Sequence, residues 1–148
     1  MIKTLYYNDF HLGQKFKTNA RTITEADVTN FAALSWDHNP LHTDAEFAKG
    51  TRFGSRIAHG MLGLVAHAGL SYHLTEGSIL ALLDLTWQFK LPIYIGDTIH
   101  VEQVVKEMRE TSNGAQGVLT FEKEVINQDN KVVQTGTTKI LLARCGEK

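Results

Sequence analysis

The chain has 148 residues, 43% hydrophobic and 21% charged, a globular composition that excludes a disordered chain and suits one domain spanning 1–148. Its formal net charge of −1 gives no long-range pull towards nucleic acid or anionic lipid, so neither is an expected partner. The single cysteine, Cys145, excludes an internal disulfide; with no basic-then-apolar leader in MIKTLYYNDFHLG and only a short apolar region at Met61 to Leu70, the expected location is the cytoplasm.

In chain order, Gln14 to Ile23 reads as an extended piece. Thr24 opens T-E-A-D, an N-cap with an acid three residues on, and Val28, Phe31 and Ala32 follow at helical spacing. This predicts an amphipathic helix from Glu25 to Leu34. Ser35 to His42, S-W-D-H-N-P-L-H, breaks it, because Asn39 precedes a proline and is biased away from helical angles. Thr43 to Glu46, T-D-A-E, repeats the capping pattern and predicts a short helix ending near Gly50.

A loop from Thr51 to Gly60 leads into Met61 to Leu74, which is apolar on nearly every face and predicts an interior helix. Gly63 and Gly69 lower its helix propensity but permit close backbone approach. The period then changes. Leu85, Trp87, Phe89 and Leu91 alternate with polar residues up to Pro92, and Thr98 to Met108, Gln116 to Ile126 and Val132 to Ala143 are β-branched and mostly alternating. The turns between these strands are G-D, S-N-G and Q-D-N. The layout is α+β, a twisted antiparallel sheet wrapped around one helix.

Three features could carry chemistry. Asp37 and His42 are five apart, which on a helix would aim them about 140° apart; a loop bent at Pro40 can aim both at one water as an acid/base pair, typically worth about 10²–10⁴ in rate. On spacing alone the competing role is structural, with Asp37 and Asn39 as caps and His42 packed beside them. A metal site from Asp37, His38, His42 and Asp44 with His59, His67 or His73 lacks the H-x-x-x-H or H-E-x-x-H helix pair, so no metal is expected. His59-Gly60 opens the apolar helix, where free N–H groups and the dipole could form an oxyanion hole or simply cap a core helix. Arg52, Arg56, Lys90 and Arg109 could hold phosphates of a carrier or be merely solvated. Ser71 lacks a G-x-S-x-G setting and Cys145 a visible partner, so neither reads as a nucleophile.

D-H-N-P-L-H (Asp37 to His42), A-E-F-A (Ala45 to Ala48) and F-G-S-R-I-A-H-G-M-L (Phe53 to Leu62) together resemble the MaoC-like dehydratases, which include the (R)-specific enoyl-CoA hydratases. The resemblance implies a hotdog fold, a curved antiparallel sheet around a long buried central helix. It implies hydration of a trans-2-enoyl thioester, carried by coenzyme A or acyl carrier protein, to the (R)-3-hydroxyacyl thioester. Asp37 then acts as base, His42 holds the water and relays a proton, and the Gly60 N–H binds the thioester oxygen. Asn39, Trp36, His59 and Arg56 are assigned to substrate binding and support of the pair. The family often has glycine where this chain has Trp36, a bulk expected to shape the pocket wall. No cofactor is implied, and a homodimer is. A thioesterase or a non-catalytic acyl-binding module on the same fold are the alternatives.

Overall fold

The computed structural model describes residues 4–146. Strands β1 (Lys15–Lys17) and β2 (Arg21–Thr22) occupy the predicted extended piece as two short edge segments. Helix α1 (Glu25–Ser35) begins at its predicted cap: Asp27 N–H donates to Thr24 Oγ1 at 3.2 Å, and Thr24 N–H donates to Asp27 Oδ2 at 2.8 Å. The next region holds two short helices where one was expected, α2 (Pro40–Thr43) and α3 (Ala45–Lys49). The cap of α3 is Asp44, which accepts from Phe47 N–H. Thr43 belongs to α2 instead, its hydroxyl donating to the His38 and Asn39 carbonyls.

Helix α4 (Gly60–Ser71) is the predicted apolar helix, with Tyr72–Leu74 finishing it as a 3₁₀ turn. Strands β3 (Ile79–Phe89), β4 (Thr98–Glu110), β5 (Gln116–Ile126) and β6 (Val132–Ala143) follow. β3 starts six residues earlier than the alternation at Leu85 indicates, because its first half, I-L-A-L-L-D, is apolar on both faces. The sheet is antiparallel in the order β1-β4-β5-β6-β3, with β2 also on β4. The hotdog arrangement implied by the sequence is met: the sheet lies along α4, and Ile99, Val101, Val125 and Val133 pack against Leu62, Ala66 and Leu70 of that helix.

Two details set α4 in place. A Cβ on Gly63 would lie 2.4 Å from Gln134 and 2.7 Å from Ile93, so only glycine lets the helix sit this close to β6. Gly69 faces open space and has no such role. The helix is not covered all round, either. Met61, Val65, Ala68 and Tyr72, one face at helical spacing, stay exposed, as do Leu80, Leu82 and Leu83 of the edge strand β3.

Candidate active site

The stretch after α1 is built from local hydrogen bonds. Trp36 ends the helix in the left-handed region, φ 63° and ψ 11°, which turns the chain sharply. Asn39 N–H then donates to Asp37 Oδ1 at 3.1 Å, pinning that carboxylate back over its own loop. Asn39 Oδ1 in turn accepts from Leu41 N–H and caps α2, with Pro40 at the first helical position, where its missing N–H is harmless. This one-turn helix carries His42. Asn39 thus works on the backbone, orienting Asp37 through its N–H and His42 through its side chain.

Three side chains converge. One ligand-capable atom from each of Asp37, His42 and His59 lies within 4.8 Å of the others. His42 Nδ1 is 2.8 Å from the Ile57 carbonyl. A carbonyl can only accept, so in the neutral ring Nδ1 carries the proton and Nε2 presents a lone pair. His59, 2% exposed, donates from Nε2 to the Asp37 carbonyl at 2.9 Å. Its ring stacks on His42 at 3.9 Å between centroids and 29° between planes, with Phe31 on it at 5.0 Å. The loop that carries Asp37 and the ring of His42 are therefore braced by one buried residue. Among the described residues, His59 Nδ1 is buried without a partner.

This cluster has the composition of a metal site, but its ring geometry works against one. Imidazole lone pairs lie in the ring plane, and two rings stacked nearly parallel at 3.9 Å cannot both aim at one ion about 2.1 Å from each nitrogen.

His59 is also the N-cap of α4, and its carbonyl accepts from Leu62 and Gly63 N–H groups. The amides ahead of them, beginning with Gly60, have no intrahelical acceptor. The Gly60 carbonyl is held by Gln134 Nε2 at 2.9 Å, and Gln134 Oε1 accepts from Trp87 Nε1 at 2.9 Å, so β6 and β3 fix the Gly60–Met61 peptide, the one after the Gly60 N–H. A Cβ on Gly60 would lie 3.0 Å from the Phe89 ring. A cleft of about 220 Å³ is lined by His59, Gly60, Phe53 and Phe89, with Arg52 and Lys90 also on it. Gln134 and Phe89, which the sequence does not mark out, also line this cleft.

Two expected binding residues stand elsewhere. Arg56 forks onto the Glu25 carboxylate, with one contact at 2.8 Å, and holds that carboxyl below its usual range. It ties the loop to α1 and is outside the converged cluster. Trp36 is 86% exposed and lines neither this cleft nor the cavity under α4. Arg109 lies along β4 on a separate surface hollow.

Comparison with known proteins bears on this geometry. A family model described as MaoC like domain matches residues 9–128. An (R)-specific enoyl-CoA hydratase of Aeromonas caviae is 34% identical over 131 residues, 88% of this chain and 94% of the relative. A mitochondrial 3-hydroxyacyl-acyl-carrier-protein dehydratase of Solanum lycopersicum is 32% identical over 123 residues, 83% of this chain and 72% of the relative. Among solved structures, the unliganded R-hydratase PhaJ1 of Pseudomonas aeruginosa superposes with a TM-score of 0.81 at 32% identity, covering 95% of this chain and 87% of that one.

Proposed function

Because the chain belongs to the MaoC-like dehydratase family, we propose that it is a hydro-lyase that reversibly adds water to a trans-2-enoyl thioester, giving the (R)-3-hydroxyacyl thioester. The observation that carries this reading is the convergence of Asp37 and His42, with a proton acceptor on each, beside the open N-terminus of α4. One water donating to the Asp37 carboxylate and to His42 Nε2 has its oxygen lone pair free for C3 of the enoyl group. As the C–O bond forms, one water proton passes to an acceptor of the pair and negative charge moves to the thioester oxygen. The Gly60 N–H and the helix dipole are the groups that would stabilise that enolate oxygen. The acceptor then returns its proton to C2 on the same face, so atoms and charge balance. With the proton of its neutral ring on Nδ1, His42 holds the water by accepting at Nε2.

The substrate class is an acyl thioester. Arg52 and Lys90 on the cleft beside Gly60 suit the phosphates of coenzyme A, and we favour that carrier over acyl carrier protein. The exposed α4 stripe and the unpaired outer edge of β3 support a homodimer formed along them.

Asp37→Asn and His42→Ala test the assignment with crotonyl-CoA, followed by loss of absorbance of the conjugated double bond. Each folded variant should lose at least about 10² in kcat; near-normal turnover in both would sink it.

A further inference from the structure

Beneath α4, away from the Asp37–His42 pair, lies a cavity of about 390 Å³. Leu64, Leu85 and Ile140 give it apolar walls, yet Lys123, Ser71 and Thr138 also line it. Lys123 stands on β5 between Phe121 and Val125 on the alternation that faces the helix, a place where the strand pattern calls for an apolar residue. It is 8% exposed. Among the described residues its ammonium has no carboxylate and no hydrogen-bond acceptor; it lies over the Phe121 ring, 5.5 Å from the centroid. Ser71 Oγ and Thr138 Oγ1 are fully buried and, among the described residues, have no partner.

A cation on a mostly buried side chain without a counter-charge is unfavourable, and so is a fully buried hydroxyl without a hydrogen bond. Here one cation and two hydroxyls with that shortfall share one cavity, and all three can donate. His67 does not make up the shortfall with charge. Its Nδ1–H donates to the Leu64 carbonyl and its ring stacks on Trp87 at 4.3 Å. Burial, and then the Lys123 charge, push it down to about 4, so it is neutral. Burial lowers Lys123 only to about 8, so it stays mostly protonated at neutral pH. Glu76, the one acidic residue on the lining, is exposed at the rim.

A ligand that satisfies these groups has an apolar body and an anionic, accepting end. The cavity lies further along the helix whose first amide is Gly60. At the rise of an α-helix, His67 and Ser71 are about 10 and 16 Å on from it, the reach of a medium-length acyl chain. We propose that this cavity receives the distal end of an acyl group that terminates in a carboxylate, with Lys123, Ser71 and Thr138 binding that carboxylate. The substrate class is then an enoyl monothioester of a dicarboxylic acid. This rests on the hydratase reading given above.

The test compares trans-2-octenoyl-CoA with its equal-length counterpart ending in a carboxylate. Wild-type protein should favour the carboxylated substrate in kcat/KM. Lys123→Met, which keeps the length and removes the charge, should lower the ratio of carboxylated to methyl-ended kcat/KM at least about tenfold. Ser71→Ala/Thr138→Val should lower it in the same direction, which covers a folding failure of the first variant. If the wild type hydrates octenoyl-CoA as well or better and Lys123→Met leaves the ratio unchanged, the inference is overturned while the hydratase reading stands. If no enoyl-CoA is hydrated, that reading fails, and calorimetric binding of suberyl-CoA against octanoyl-CoA decides the cavity alone. A Lys123-dependent preference for suberyl-CoA upholds the carboxylate site, and equal binding overturns it.

Discussion

Trp36 shows how one residue can be placed by the backbone rather than by its side chain. Its φ of 63° lies in the left-handed region, where a side chain with a Cβ is strained and glycine is not. The sharp turn there is what brings Asp37 round towards His42 and His59, so the conformation is needed and the indole is not. This gives a physical reason for the glycine that the family often carries at the position. Trp36→Gly should relieve strain without uncovering any core, since the indole is already 86% exposed. The expected gain is about 1 kcal/mol, seen as a Tm about 3 °C higher in a thermal melt; an unchanged or lower Tm would show that the indole makes a stabilising contact instead. Trp36 itself points away from the His59–Gly60 cleft and from the cavity under α4.

Among the elements, β3 is the one whose environment is incomplete. Eleven residues of strand run along the edge of the sheet, with Leu80, Leu82 and Leu83 at least 51% exposed. A long apolar edge with free N–H and C=O groups is a liability unless something pairs with it. Its neighbour in space is the uncovered stripe of α4, so the two exposures form one surface. In the proposed dimer, strand pairs with strand across a twofold axis and the α4 stripes are covered together. Leu80→Lys/Leu83→Lys should then convert dimer to monomer in sedimentation velocity, because like charges meet across the axis. A wild type that sediments as a monomer at micromolar concentration would contradict the proposal directly. These residues lie at irregularities of register, between Ile79 and Ala81 and between Leu82 and Asp84, which explains why period-two reading caught only the second half of the strand.

At the scale of the whole molecule, the polar residues between helix and sheet link stability to pH. His67 is 4% exposed, and burial followed by the Lys123 charge lowers it from 6.5 to about 4. Between those values the unfolded chain binds a proton that the folded chain does not. Stability from this group is therefore present above about pH 6.5 and lost as pH falls towards 4. Between pH 7 and pH 5 the loss should be about 2 kcal/mol, and urea melts should show it shrinking in His67→Gln relative to wild type. An identical decline in both proteins would place the titrating group elsewhere.

The sequence by itself determined the α+β class, the boundaries of β5 and β6 and the cap of α1, and it brought Asp37 and His42 forward as the candidate pair, because these rest on short-range rules: side-chain period, capping chemistry and a spaced motif. Tertiary structure decided what depends on residues far apart in the chain. It stacked His59 on His42 from seventeen positions away, and it set the Ile57 carbonyl against His42 Nδ1 and so fixed which ring nitrogen carries the proton. It turned Arg56 onto Glu25, set Gln134 against the Gly60 peptide, and placed Lys123 under α4 on a face that strand periodicity reserves for apolar side chains. Local pattern records which face a residue takes; only the packing of distant elements decides what it meets there, and hence its charge, its tautomer and its chemistry.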